Sequence, residues 1–165
     1  MKVIDKISWH VDAGENLSDH IHRFQVILNF LNTHSMLSTD GKEVLEIGID
    51  SATSLNSKML TPAGLAFCEC NANTLVGIEA ETLGALLMAM EYIEYKQYAT
   101  DIAMYILGYG DKYSSTIINE MNELKYNMEK EIGYLSEKDK EKIDVLRGLL
   151  NIINNHPTIR AKKGL

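Results

Sequence analysis

Apolar residues in the second half of the chain recur every three or four positions, which is the period of an α-helix. The stretch 81–98 follows this period, and the stretch 99–109 continues it. We therefore expect a long helical segment that Gly108 ends, because glycine readily adopts the left-handed conformation that closes many helices.

Two further helices are predicted towards the C-terminus. Residues 111–135 carry apolar side chains at steps of three and four, which form one continuous stripe on a helix. Ser136 precedes a new stripe in 143–153, and Asp139 follows the serine in a capping arrangement. This last helix should end before Pro157, because the residue before a proline disfavours helical backbone.

The first half has shorter helical patterns with recognisable ends. An apolar face in 18–34 predicts a helix with Ser18 as its N-cap. Residues 38–51 predict a shorter helix that closes near Gly48. Thr61-Pro62 predicts another helix start, since threonine is a good cap and proline fits the first helical position.

Together these patterns predict a mainly α-helical, bundle-like single domain, with room for a short strand or wing in its N-terminal half. The opening stretch 3–9 fits either a strand or a helical turn. We place the domain at 1–157, made of an N-terminal half 1–78 and a helical half 79–157. The basic residues 158–165 are expected to form a frayed tail.

The charge of the chain bears on its partners. The net charge is −7, and residues 1–80 hold ten acidic residues against five Lys and Arg. Nucleic acid is therefore an unfavourable partner, because binding to it depends mainly on neutralising phosphates. The sequence has neither an apolar run of the roughly 18–20 residues needed to span a bilayer nor a signal-peptide pattern. We expect a cytoplasmic protein without a membrane partner.

The stretch 8–24 holds three of the five histidines: His10, His20 and His22. On a helix, His20 and His22 are about 200° apart and cannot share one metal ion. His10 and Asp12 could add ligands from the preceding residues, but a zinc site needs three or four ligands that converge. We expect no metal ligand, no catalytic residue and no cofactor.

Two other residue types are unusual but form no recognised motif. Cys68 and Cys70 are too close for an ordinary disulfide, and no second pair completes a zinc site, so we expect reduced thiols. The segment 92–113 is rich in tyrosine, which favours half-buried packing, with a contact surface as the alternative.

One segment resembles the winged-helix regulators of transcription. Their chains carry an apolar helix, a turn and then a helix start of the form LT-x-x-G, which is found here at 60–64. The resemblance implies DNA binding. Residues 38–60 supply only Lys42 and Lys58 against four acids, which leaves few groups for phosphate contacts.

A second resemblance covers about residues 4–70. The opening ISWH at 7–10, Phe24, the NFL at 29–31 and the segment 41–50 are similar to small bacterial immunity proteins. These proteins belong to polymorphic-toxin and contact-dependent growth inhibition systems. The resemblance implies a toxin inhibitor that acts through protein–protein contact and carries no catalytic residues.

Acidic residues are the candidates for such a contact, because they would occupy the site where a basic nuclease toxin binds phosphate. Trp9 is expected to anchor the core, with an interface hot spot as the alternative. The six candidate partner-binding residues are Asp12, Glu15, Asp19, Asp40, Glu43 and Glu46.

The sequence thus leaves three hypotheses in order of preference. The first is an immunity protein that binds a cognate toxin domain and blocks it by occlusion. The second is a winged-helix regulator, and the third is a metal-dependent enzyme that uses the N-terminal histidines.

Overall fold

The computed structural model describes residues 1–110 and 115–165, so the start of the predicted helix 111–135, with Tyr113, lies outside the described residues. The chain is mainly α-helical, as predicted, with ten α-helices and two short strands in the described ranges. It divides into two compact units, residues 1–84 and residues 85–165.

The first unit contains both strands. Its elements in chain order are β1 Val3–Lys6, α1 Ile7–Asp12, α2 Leu17–Thr33, α3 Thr39–Ile47, β2 Ser54–Asn56, a 3-10 turn Ser57–Met59, α4 Pro62–Cys70, α5 Ala72–Gly77 and the start of α6 Ala80–Met90.

Strands β1 and β2 form a small antiparallel sheet, in which Asp5 lies opposite Leu55. Three helices separate the two strands in the chain, so they are not a hairpin of successive strands. β1 runs directly into α1. The stretch 3–9, which fitted either a strand or a helical turn, therefore contains both.

The core of the first unit forms along one face of α2. Phe24, Ile27, Leu28 and Leu31 are at most 1 % exposed, and their spacing is that of a helical face. Burial of a side chain of this size stabilises a fold by about 1.5–3 kcal/mol. This face fixes the rotation of α2 about its axis, and with it the direction of every polar residue on the helix.

Most of the predicted helix ends in this unit are confirmed. The Ser38 hydroxyl accepts a hydrogen bond from the Gly41 amide, and α3 ends at Gly48. The Thr61 hydroxyl caps α4, with Pro62 at its first position. In each case the side-chain oxygen satisfies an amide that has no partner within the helix.

The N-cap of α2 is a correction. The cap is Asn16 rather than Ser18: its Oδ1 accepts from the Ser18 amide at 2.9 Å and from the Asp19 amide at 3.4 Å. Both residue types are good caps, and the apolar pattern does not distinguish a start at 17 from one at 19.

The second unit is entirely helical in its described residues. After the end of α6 it contains α7 Ile93–Leu107, α8 Ser115–Lys130, a 3-10 turn Ile132–Tyr134, α9 Glu137–Asn155 and α10 Pro157–Lys162. Gly108 closes α7 in the left-handed conformation, as predicted, with φ of 80°. Ser136 caps α9, and this helix ends before Pro157, also as predicted.

The segment 81–98 is not one helix. α6 ends at Met90, and α7 begins at Ile93 after Tyr92, whose backbone is extended. Apolar residues continue at helical spacing across the break, and neither glycine nor proline marks it. Periodicity therefore could not reveal that the chain turns here.

The predicted frayed tail is also a correction. Residues 157–162 form α10, and Ile159 within it is fully buried. Pro157 lies in the first turn, and the His156 ring accepts a hydrogen bond from the Thr158 amide. A cap and one buried isoleucine are enough to order this short basic segment.

Among the described residues, no helix combines the length and the apolar character needed to cross a membrane.

The two cysteines on α4 should differ sharply in reactivity. Cys68 is buried, and burial raises its pKa to about 12, whereas Cys70 is exposed. The thiolate is the reactive form. At pH 8 we expect iodoacetamide to label one thiol of the native chain and two of the unfolded chain, as counted by mass spectrometry. Native Cys70→Ser should remain unlabelled; labelling of that variant at the rate of an exposed thiol would contradict the buried position of Cys68.

Candidate functional site

Five polar side chains of the first unit form a connected group, which we call the charged network. The members are Asp5 on β1, His10 on α1, Glu15 between α1 and α2, and His20 and Arg23 on α2.

The centre of the network is a buried ion pair. Arg23 Nη2 donates to Asp5 Oδ2 at 2.7 Å, and the two side chains are only 3 % and 2 % exposed. Arg23 Nη1 donates to the main-chain oxygen of Leu75 at 2.5 Å. The pair therefore ties β1 to α2 and α5. Two buried charges are tolerated only when paired and hydrogen-bonded in this way.

The orientation of His10 is set by Asp5. His10 Nε2 lies 2.8 Å from Asp5 Oδ1, which can only accept, and 3.1 Å from Arg23 Nη2, which can only donate. The opposite nitrogen, Nδ1, lies 3.6 Å from Glu15 Oε2. The His10 ring thus lies between the buried pair of Asp5 and Arg23 on one side and Glu15 on the other.

Arg23 and Glu15 contact the two ring nitrogens of His20. Its Nδ1 lies 3.0 Å from Arg23 Nη2, and a guanidinium can only donate. Nδ1 therefore accepts, and the proton sits on Nε2, which donates to Glu15 Oε2 at 2.6 Å. This hydrogen bond lowers the pKa of Glu15 below its ordinary value, against a smaller opposing effect of burial.

The network is less suited to a metal ion than its composition indicates. His10, Glu15 and His20 place potential ligand atoms within 4.8 Å of one another. However, the two rings are stacked 4.1 Å apart and only 14° from parallel, so their in-plane lone pairs do not converge. A histidine that binds metal usually donates its other N–H to a carboxylate or carbonyl. His20 has a guanidinium donor at Nδ1 instead, and the same guanidinium nitrogen lies 3.1 Å from His10 Nε2.

Four members of the charged network, all except Asp5, line an open cleft with a volume of about 810 Å³. The segment 76–81, from the end of α5 to the start of α6, also lines it. Four carboxylates line it, and we call it the acidic cleft; they are Glu15, Asp19, Glu79 and Glu81. His22 also lines the cleft but is exposed and takes no part in the network.

The six acids proposed from the sequence do not come together. Glu15 and Asp19 line the acidic cleft, whereas Asp40 lines a separate, shallower depression of about 370 Å³ beside α3 and β2. The other three are exposed and line neither; they are Asp12, Glu43 and Glu46.

Four residues of the site were not identified from the sequence, and two of them carry a signal. Asp5 lies between the apolar residues Ile4 and Ile7 with only Lys6 beside it, and Arg23 directly precedes Phe24 on the buried face of α2. A charged residue among buried positions indicates a partner, because an unpaired buried charge is costly. The other two, Glu79 and Glu81, look like ordinary surface acids in the sequence.

Trp9 is a further correction, because it does not anchor the core. Its side chain is 52 % exposed, and Lys6 Nζ lies 5.4 Å from the centre of its ring. Ile7, two positions earlier on α1, is the buried residue of that helix. The short helix has one inward face, and Trp9 lies outside it.

Comparison of the chain with protein-family models, with curated proteins and with solved structures found no match.

Proposed function

We propose that this chain is an immunity protein that binds a basic toxin domain, such as a nuclease, and blocks it by occlusion. The observation that carries the proposal is the acidic cleft. Its four carboxylates line an opening of about 810 Å³, which is large enough to admit side chains of another protein. Complementary charge accelerates association and suppresses wrong partners.

The charge of the first unit supports a basic partner. Residues 1–84 contain eleven acidic residues and five Lys and Arg. The buried pair of Asp5 and Arg23 neutralises one of each, so ten acids and four bases remain. Such an excess attracts a basic protein at long range, and the effect weakens as ionic strength rises.

The chemistry of the network favours binding over catalysis. Arg23 donates to Asp5 and to the Leu75 carbonyl, and both nitrogens of His20 are engaged. These groups hold the cleft wall in place by satisfying each other. A general base would instead need a proton acceptor directed at a substrate and a nucleophile within reach.

The resemblance of residues 4–70 to immunity proteins supports the same proposal. That region lies within the first unit and contains His10 and Glu15, which line the acidic cleft. The alternatives of a winged-helix regulator and of a histidine-based metal enzyme stay predictions. They would be indicated by salt-sensitive DNA binding or by stoichiometric metal that is lost in His22→Ala.

Charge reversal in the cleft should weaken binding of the toxin domain. The partner to test is the C-terminal domain of a toxin encoded next to this chain, co-expressed and purified with it. We expect a one-to-one complex and relief of toxicity. Asp19→Lys should raise the Kd about tenfold or more, which corresponds to about 1.4 kcal/mol. Titration calorimetry at two salt concentrations measures the change.

Two matched variants complete this experiment. Asp19, Asp40 and Glu137 are all acids in the first turn of a helix, so reversal costs each helix a similar dipole interaction. Glu137→Lys, in the second unit, should bind as the wild type does. A loss in Asp40→Lys but not in Asp19→Lys would place the contact on α3 instead of the acidic cleft. Failure to capture a basic partner would overturn the proposed function.

A further inference from the structure

We infer that the corner where α1 meets α2, residues 9–19, contacts the basic protein partner of the first unit, and that Trp9 is the hot spot of this contact. This inference rests on the proposed function and extends the contact from the acidic cleft onto α1. We call residues 9–19 the α1–α2 corner.

The α1–α2 corner exposes two large apolar side chains. Trp9 is 52 % exposed and Leu17 is 39 % exposed, and every residue in 12–19 is exposed. Scattered apolar residues are common on protein surfaces. Tryptophan, however, is highly buried on average and is enriched among the residues that dominate binding at protein interfaces. Covering Trp9 would therefore stabilise a complex more than covering most other surface residues.

The turn between the two helices is fixed by its own hydrogen bonds. The amides of Gly14 and Glu15 donate to main-chain oxygens of α1 at 2.9 Å and 3.0 Å. Gly14 has a φ of 90°, which glycine adopts without strain, and Asn16 caps α2. A surface that is ordered before binding loses less conformational entropy in the complex. The corner is thus ready to bind without first folding.

The charge of the corner indicates the kind of partner. The corner contains three acids, Asp12, Glu15 and Asp19, and neither lysine nor arginine. Lys6 Nζ lies 5.4 Å from the centre of the Trp9 ring, so the indole already attracts one cation of its own chain. The complementary surface is an apolar patch bordered by lysine and arginine side chains. The apolar patch covers Trp9 and Leu17, and the basic side chains face the acids.

The corner is continuous with the acidic cleft. His10, which directly follows Trp9, lines the cleft, and so do Glu15 and Asp19. A partner that enters the cleft therefore lies beside α1. An apolar hot spot surrounded by polar contacts that exclude water is the usual arrangement of a protein interface.

A fluorine label at Trp9 tests the contact directly. Trp9 is the only tryptophan of the chain, so 5-fluorotryptophan labels this one position. The labelled chain is mixed with the unlabelled toxin domain, and its 19F resonance is compared with that of the labelled chain alone at several concentrations. We expect the resonance to shift in the complex. Its difference between ordinary and heavy water should disappear, because the ring loses contact with solvent.

Substitutions measure the contribution of the contact to affinity. Trp9→Ala should raise the Kd for the toxin domain about thirtyfold or more, as expected of a hot spot. Trp9→Phe, which keeps an aromatic ring on α1, should give an intermediate Kd, and Leu17→Ala should raise the Kd less than Trp9→Ala does. Tyr134→Ala is the matched control, because this aromatic side chain is 95 % exposed in the second unit. Its Kd should equal that of the wild type, and circular dichroism checks that each variant is folded.

The possible results separate the inference from the proposed function. Wild-type affinity in Trp9→Ala, or an unchanged 19F resonance in a complex that does form, would overturn the inference and leave the proposed function intact. A resonance that shifts with the concentration of the chain alone would mean that a second copy covers Trp9, which would also overturn the inference. Failure to form any complex would overturn the proposed function, and the inference with it.

Discussion

Replacing Arg23 by methionine is expected to destabilise the first unit by about 3–5 kcal/mol, because it leaves the Asp5 carboxylate buried without its counter-ion. Methionine fills similar space, so the loss is mainly electrostatic. The same change removes the donor to the Leu75 carbonyl and the donor to Nδ1 of His20. A total stability of about 5–15 kcal/mol is usual for a domain, so this one residue matters greatly.

Trp9 provides a direct way to measure this effect. It is the only tryptophan of the chain and lies in the first unit, so its fluorescence during urea unfolding reports on that unit. The free energies of unfolding of wild type and Arg23→Met are compared by linear extrapolation. A variant that unfolds at the wild-type urea concentration would contradict the central position of the pair.

A double variant separates the electrostatic contribution of the ion pair from the contribution of its packing. Asp5→Leu combined with Arg23→Met removes both charges, and replacement of a buried pair by apolar residues is often neutral or better. We expect the double variant to be more stable than Arg23→Met alone. If the loss of stability in the double variant equals the sum of the losses in Asp5→Leu and Arg23→Met, the two side chains do not interact as a pair.

The helices of this protein could largely be predicted from local patterns, because their causes lie within a few residues. The caps at Ser38, Thr61 and Ser136 each satisfy amides that are at most three positions away. The break between α6 and α7 could not be predicted, since apolar spacing is the same on both sides and no helix-breaking residue marks it.

The candidate site could be predicted only in part, because its contacts join distant residues. Arg23 is 18 positions from Asp5 and 52 from Leu75. A helix prediction gives the spacing of His20 and Arg23 on α2, but it does not reveal which strand or loop faces them. The histidine-rich stretch 8–24 supplies four of the five members of the charged network, but the sequence did not show that they contact each other and Asp5.

The position of the acids illustrates the same limit. Glu15 and Asp19 follow α1 in the chain, while Glu79 and Glu81 come about 60 residues later. Only the fold of the first unit brings these two groups to one cleft. Counting charge along the sequence therefore found the acidic character of the unit and two of the four carboxylates that line the cleft.

Gly64→Ala is the second change for which we expect a large effect on the free energy of unfolding. It tests the packing of α4 against the segment that follows α2. A Cβ at position 64 would lie well within contact distance of the Met36 main-chain oxygen. That oxygen cannot easily move, because it accepts hydrogen bonds from the Thr61 amide at 3.0 Å and from the Thr61 hydroxyl at 3.2 Å.

Gly41 is in the same situation on α3. A Cβ there would collide with the Met59 main-chain oxygen, which accepts from the Ser38 amide at 2.9 Å. Each glycine thus lets the first turn of its helix pack directly against the main chain of a distant segment, at Met59 for Gly41 and at Met36 for Gly64. Alanine normally stabilises a helix by about 1 kcal/mol relative to glycine, but a forced contact costs about 1–3 kcal/mol or more.

We therefore expect Gly64→Ala and Gly41→Ala to lower the free energy of unfolding of the first unit, as measured by Trp9 fluorescence in urea. Gly84→Ala, within α6 of the same unit, is the matched control and should cost little, because an added Cβ there meets only a Val26 methyl group at 3.8 Å. A gain in stability in Gly64→Ala would mean that the segment around Met36 yields to the new methyl group. In that case close packing against Met36 would not be the reason why position 64 is glycine.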